Sequence, residues 1–240
     1  MHRILVLGAG LVARPLLRYL LTHHHFSVLV ATDDVQRAGR LMDEHPRGRV
    51  VRLDARDTPS LTALARECDV IVSLLPAEYN VPVARVAIAC RKPFINTSYA
   101  SPEMWALDEE AHAAGVLLLN EMGLDPGIDH MSVAETVRRL RFAGGTIVNF
   151  ASNCGGFPAP DANTNPWGYK FSWRPRAVML AGRRPARYLR DGLVIDIPGE
   201  EIFAHAWSFD VEGAGVFEIY PNSDSTRYVE PYGLREAHGV

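Results

Sequence analysis

Residues 3–13 read Arg3-Ile4-Leu5-Val6-Leu7-Gly8-Ala9-Gly10-Leu11-Val12-Ala13, and the fold follows from that order of residue types. A short apolar, β-rich run ends in glycines. A helical pattern through Leu16, Leu17, Leu20 and Leu21 begins where the glycines stop. In Gly8-x-Gly10-x-x-Ala13 the first glycine permits a tight turn, and the second lets a pyrophosphate approach the backbone. The helix N-terminus then offers free N–H groups and its positive dipole end to the phosphates, with Leu11, Val12 and Ala13 in the cradle. A glycine pattern alone says little; the strand before it and the helix after it make it a dinucleotide-binding motif.

The alternation continues outward from this stretch. Apolar runs at residues 26–31, 50–53, 70–74, 94–95 and 116–119 read as strands, and residues 35–45, 61–66, 81–90 and 102–114 as helices. Short buried strands alternating with helices predict a parallel sheet covered on both faces, a Rossmann-type doubly wound α/β domain over residues 1–125. The character then changes. A helix to about Arg141 is followed by an alternating strand over 146–152 and a loop dense in Gly, Pro and Asn from Cys154 to Gly168. Residues 126–240 therefore read as a second, α+β domain with a more antiparallel sheet, for substrate binding and dimerisation.

Composition narrows the function. A formal net charge of −3 gives no electrostatic case for nucleic acid or an anionic membrane. Cys68, Cys90 and Cys154 are widely spaced, which is neither a disulfide framework nor a zinc site and fits a reducing cytoplasm. No metal is expected; His23-His24-His25 falls where the first helix should end and reads as a solvated terminus. No signal peptide is expected from Met1-His2-Arg3 leading straight into a strand, and the sequence shows no 18-residue apolar span. The expected protein is a soluble, cytoplasmic homodimer acting on a small molecule.

Two segments bear on the chemistry. Ala31-Thr32-Asp33-Asp34 ends the second strand, and an acidic residue there accepts hydrogen bonds from ribose hydroxyls and repels a 2′-phosphate. Asp33 thus favours NAD over NADP, although Arg37 and Arg40 follow on the next helix; Asp34 reads equally as a helix N-cap. The second segment is Asn120-Glu121-Met122-Gly123-Leu124-Asp125-Pro126-Gly127-Ile128-Asp129-His130. It packs carboxylates and a histidine into a strand-to-helix junction, where ligands bind in α/β proteins.

That run resembles the corresponding segment of the glutamate-forming saccharopine dehydrogenases, the saccharopine reductases. Further blocks resemble the same family in the same order. They are Gly8–Pro15, Ser73-Leu74-Leu75-Pro76, Asn96-Thr97-Ser98-Tyr99, Cys154–Pro160 and Asn165–Trp173, the last containing Lys170. The resemblance implies reversible reductive condensation of glutamate with α-aminoadipate semialdehyde in lysine metabolism, using NAD or NADP. It implies Asp125, Tyr99 and Cys154 as the polar residues around the reacting carbon. The bare residues leave other roles open: a turn residue for Asp125, packing for Tyr99, a small buried hydrophobe for Cys154. Asp54, Ala55, Leu75, Thr97, Ser98, Leu124 and Pro126 are implied as further cofactor contacts. Ser98, Tyr99, Asp125, Lys170 and Ser223 are implied around the substrate.

Two departures stand out. Where the family reads Pro-Asn-Arg-Asp-Ser, this chain has Pro221-Asn222-Ser223-Asp224-Ser225, and serine cannot make the bidentate carboxylate contact of arginine. Arg227 lies nearby. The family's chain also continues well past this point, so a partial chain is expected. The alternatives are a related imine reductase for another amino acid or a polyamine, and a nucleotide-binding homologue without catalysis.

Overall fold

Successive residues of the first strand face opposite sides of a sheet, and both sides are buried. The computed structural model describes all 240 residues and divides into two compact units, Met1–Ile128 and Asp129–Val240. In the first unit, chain order is β1 (His2–Leu7), α1 (Ala13–Thr22), β2 (Phe26–Thr32), α2 (Val35–Met42), β3 (Gly48–Arg52), α3 (Thr58–Arg66), β4 (Val70–Ser73), α4 (Asn80–Ala89), β5 (Phe94–Asn96), α5 (Pro102–Trp105), α6 (Asp108–Ala114) and β6 (Leu118–Leu119). The strands form one sheet in the order β3-β2-β1-β4-β5-β6, with every pairing parallel. This is the doubly wound order, which reverses between β1 and β4.

The period of two explains the layering. Leu5, Leu7, Leu29, Ala31 and Ile71 pack with residues of α3, α4, α5 and α6, whereas Ile4, Val6, Val28, Val30 and Val72 pack with α1 and α2. Fully burying each such aliphatic side chain contributes about 1.5–3 kcal/mol, so an unbroken apolar run is what this architecture requires. The starts of α2, α3 and α5 are set by short polar side chains. Asp34 accepts from Arg37 N at 2.9 Å, Asp57 from Ser60 N at 3.1 Å and Ser101 from Met104 N at 3.2 Å. Asp34 is thus an N-cap.

The helix expected over 102–114 is two helices. The chain turns at Ala106 and Leu107, where Leu107 N donates to Met104 O at 3.1 Å, one residue short of the α-helical partner. Helix α6 restarts with Asp108, Glu109 and Glu110 in its first turn, where acidic side chains favour a helix N-terminus.

The second unit opens on α7 (Ile128–Phe142), followed by α8 (Pro175–Ala181), β7 (Ala186–Arg190), β8 (Leu193–Ile197), β9 (Trp207–Val211) and β10 (Gly215–Ile219). It has no single sheet: β7–β8 and β9–β10 are separate antiparallel hairpins. The buried clusters of this unit are small. Ala186, Ile197 and Ile202 form one cluster, and Val137, Leu234 and Ala237 another, while every residue of β9 is exposed. The strand expected over 146–152 does not form. Val148 O and Phe150 N bond only to His238 N and Gly239 O, at 2.7 and 2.9 Å, and one bridge between Asn149 and Gly239 is too short a pairing to make a ladder.

Ala13, fully buried in the first turn of α1, sets how closely the N-terminus of that helix lies to the sheet. Ala13→Leu is expected to destabilise by about 1–3 kcal/mol through overpacking. Urea unfolding checks that, and titration with NADH or NADPH should show weaker binding as α1 is pushed outward.

Candidate active site

Strand register places the candidate cofactor residues. Leu7 pairs with Ala31 of β2 and with Ser73 of β4, and Ser73 pairs with Asn96 of β5. The carboxyl ends of four strands are therefore level, and the loops that follow them share one edge of the sheet. Gly8–Val12, Asp33, Asp54, Ala55, Leu75, Thr97, Ser98 and Tyr99 all follow strand ends on that edge.

Gly8 has φ +94°, which a side chain resists, and its N–H donates to Ala31 O at 2.9 Å. Apart from Gly10 and its two chain neighbours, no protein atom lies within 4 Å of where a Cβ on Gly10 would stand. With the exposed Leu11 and Val12 leading into the buried Ala13, the turn gives an extended ligand access to the N–H groups opening α1. These residues fit the pyrophosphate of a dinucleotide. Asp33 is exposed just beyond β2, its Oδ1 accepting from Thr32 Oγ1 at 3.3 Å. Leu75 is positioned by Ser73, whose hydroxyl donates to Asn80 Oδ1 at 3.0 Å and accepts from Leu75 N at 3.4 Å.

Asp54 has a partner that sequence reasoning missed. Arg56 grips it with Nε at 3.0 Å and Nη2 at 2.7 Å, and its backbone N–H adds a third bond at 3.0 Å. These bonds to the charged form pull the Asp54 carboxyl down to about 2. The only sequence signal was an arginine two residues beyond an aspartate.

On the β5 and β6 side, two loops meet. Tyr99 Oη donates to Asp125 Oδ1 at 2.7 Å, joining two residues 26 apart in sequence. The Asp125 loop is built by close backbone approach: Gly123 N donates to Pro126 O at 2.8 Å, and Ile128 N to Gly123 O at 3.0 Å. A Cβ on Gly127 would lie 2.1 Å from Gly123 O, so only glycine closes this turn. The Asp125–Pro126 peptide is cis, Pro126 is buried and Leu124 is exposed. Beneath them Asn96, almost fully buried, donates through Nδ2 to Asn120 Oδ1 at 2.5 Å and accepts from Ser98 N at 2.8 Å. Asn96 and Asn120 were not singled out as structural residues, since a buried asparagine pair has no sequence period.

Asp125 is thus a turn residue whose carboxylate is also engaged, and Tyr99 does more than pack. The remaining candidates lie in the second unit. Cys154 is exposed rather than a buried hydrophobe. Lys170 Nζ donates to Thr164 Oγ1 at 3.1 Å. Ser223, at φ +51°, accepts from Arg187 N through its carbonyl at 2.8 Å, and the Arg227 guanidinium stands 5.3 Å from the Tyr228 ring centre. No cluster of His, Cys, Asp and Glu has metal-binding geometry, and no helix is long and apolar enough to cross a membrane.

Known proteins match both units. Residues 4–119 match the family model for the saccharopine dehydrogenase NADP binding domain, and residues 123–240 that for the saccharopine dehydrogenase C-terminal domain. The L-glutamate-forming, NADP(+) saccharopine dehydrogenase of Pyricularia oryzae is 40% identical over 99% of this chain and 52% of its own length. That of Schizosaccharomyces pombe is 38% identical over 100% and 53%. The apo structure of the L-Glu-forming Saccharomyces cerevisiae enzyme superposes with a TM-score of 0.91 at 36% identity, covering 100% of this chain and 54% of that one. The chain spans about half the length of these relatives.

The depressed Asp54 carboxyl has a direct check. Its folded value is the lower one, so the pair favours folding above about pH 4 and ceases to as the pH falls through about 2. Exposure of both side chains to solvent keeps that contribution small. Carboxyl-carbon NMR should show Asp54 titrating near 2, and Arg56→Ala should return it to about the ordinary 3.9; a titration unmoved by the substitution would acquit Arg56.

Proposed function

The chain belongs to the saccharopine dehydrogenase family, and on that premise we propose that it serves a nicotinamide-dependent oxidoreductase acting on a C–N bond. The reaction proposed is the reductive condensation of L-glutamate with α-aminoadipate semialdehyde, and its reverse, in lysine metabolism. The observation that carries this reading is the 2.7 Å bond between Tyr99 Oη and Asp125 Oδ1, at the sheet edge that carries the glycine turn. Relatives named for the L-glutamate-forming reaction support the substrates.

The condensation needs proton transfer more than any other help from the protein. The amine nitrogen attacks the aldehyde carbon, a C–N bond forms, and water leaves as the C–O bond breaks. When bound, the dinucleotide supplies the hydride that reduces the resulting C=N carbon. Asp125 accepts in turn the two protons the amine nitrogen gives up. Tyr99, hydrogen-bonded to it, relays each along the same bond, the first to the aldehyde oxygen and the second to the departing hydroxyl. A proton from solvent completes the nitrogen when the C=N carbon is reduced. Ser98 and Leu124 are the residues that would hold the nicotinamide. Cys154, Lys170 and Ser223 keep the roles the resemblance implies, and those rest on it alone. Ser223 in place of arginine favours a second reading, an imine reductase for another amino acid or a polyamine. Oxidation of reduced cofactor with glutamate and the semialdehyde, against polyamine–aldehyde pairs, separates the two; no turnover on any pair despite nucleotide binding would leave a non-catalytic homologue.

For the cofactor, the matched domain and the relatives' names carry NADP, and Asp33 is the observation on the other side. An exposed carboxylate after β2 repels a 2′-phosphate and accepts ribose hydroxyls, so we assign NAD(H) as the preferred form. The exposed apolar residues of the β9–β10 hairpin, Trp207, Phe209 and Val216, support a homodimer through the second unit, which light scattering tests. Three free thiols suit the cytoplasm.

Two substitutions test the assignments. Asp125→Asn should lower kcat at least about tenfold while nucleotide Kd stays within about twofold; equal loss of both would make it a binding or folding residue. Asp33→Arg should raise the kcat/KM ratio of NADPH to NADH by about tenfold or more. An unchanged ratio would remove Asp33 from the ribose site.

A further inference from the structure

Glu121 stands in the left-handed region, φ +63°, two residues after β6. Glycine takes that conformation without cost, whereas a side chain there persists only where the surroundings hold it. Two bonds hold this one. Its backbone N–H donates to Ser98 O at 3.2 Å, and its carboxylate Oε1 accepts from Ala100 N at 2.9 Å. The residue between those partners is Tyr99. Glu121 therefore grips the chain on both sides of Tyr99.

The segments it joins are tied again at their base. Met122 N donates to Asn96 O at 2.9 Å, and Asn96 Nδ2 to Asn120 Oδ1 at 2.5 Å. The base fixes the strand ends, but it stops at Ser98. Tyr99 itself is 43% exposed, so packing alone holds its ring weakly. Its hydroxyl must nevertheless meet Asp125, which is carried on the glycine-closed turn that follows Glu121. The torsions of residues 98–100 decide whether that bond forms, and Glu121 restrains them.

We propose that Glu121 is a positioning residue: by bonding to Ser98 O and Ala100 N it sets the backbone at Tyr99 so that the phenol oxygen reaches Asp125 Oδ1. The inference rests on the reading of Tyr99 and Asp125 as the proton-transfer pair. Glu121 exchanges no proton in it. In that role its side chain acts as the hydrogen-bond acceptor for Ala100 N, which glutamine can also be and alanine cannot.

The test uses the full chain with 3-fluorotyrosine at position 99 and fluorine NMR, with Asp125→Ala marking the resonance when the bond is absent. Glu121→Ala should move the wild-type resonance toward the Asp125→Ala position. Glu121→Gln, whose amide oxygen still accepts from Ala100 N, should leave it in place. Glu121→Gly relieves the backbone strain, so it folds even where the alanine variant does not, and it should show the displaced resonance. In turnover, Glu121→Ala and Glu121→Gly should lose about ten- to a hundredfold in kcat with nucleotide Kd unchanged within about twofold, and Glu121→Gln should restore it. A wild-type resonance in Glu121→Gly, or a Glu121→Gln variant that behaves like Glu121→Ala, overturns the proposal. Should Tyr99→Phe leave turnover intact, the proton-transfer reading fails, and the fluorine comparison still decides whether Glu121 positions the ring.

Discussion

The parallel pairing of β1 with both β2 and β4 is the constraint on which the first unit depends. Because Leu7 stands level with Ala31 and with Ser73, the loops after three strands open on one edge, and β5 adds a fourth through Asn96. The reversal of strand order beside β1 sends α1 and α2 to one face and α3 and α4 to the other. Parallel strands need such crossovers, and crossovers leave a crevice at the carboxyl ends. A slip of one residue in β1 would turn its side chains to the wrong faces and misplace Gly8.

On that edge the two halves of the site are built differently. The glycine turn after β1 exposes backbone, with Gly8 taking the positive φ and the fully buried Ala13 letting α1 lie close. The Tyr99–Asp125 side instead converges by hydrogen bonding, through Asn96, Asn120 and Glu121, with Gly127 permitting the closest backbone contact. A phosphate is recognised by donors that any backbone can offer, whereas two side chains on different loops need those loops cross-braced. Buried polar groups that are fully partnered hold one geometry and tolerate few others.

Legibility in the sequence followed range. The six strands, the covered sheet and the glycine turn rest on period and punctuation, and for β1 the unbroken apolar run from Ile4 to Leu7 sufficed without any apolar–polar alternation. The resemblance implied Tyr99 and Asp125, with Cys154, as residues around the reacting carbon, but the Tyr99–Asp125 bond and the Asn96–Asn120 and Glu121–Ala100 braces are contacts across 21 to 26 residues with no periodic trace. Residues 146–152 misled because apolar alternation signals a half-buried strand only where a partner runs alongside, and here Gly239 alone bridges Asn149. Residues 102–114 carry helical composition throughout, yet the chain tightens at Leu107, whose N–H bonds to Met104 O, and a second helix starts at the acidic run Asp108–Glu110. The second unit was least legible, its short hairpins and exposed apolar strands lacking a regular period.

Everything proposed for the chemistry turns on the sheet edge: the proposal requires the glycine turn and the Tyr99–Asp125 pair to serve one site there, with the pair beside the reacting carbon. A crystal structure of the protein with bound reduced nicotinamide dinucleotide tests this most directly. The pyrophosphate should lie on the backbone of Gly8–Ala13, and the nicotinamide ring should be in van der Waals contact with the loops that carry Tyr99 and Asp125. A dinucleotide whose pyrophosphate lies on that turn but whose nicotinamide points away from both residues would contradict it.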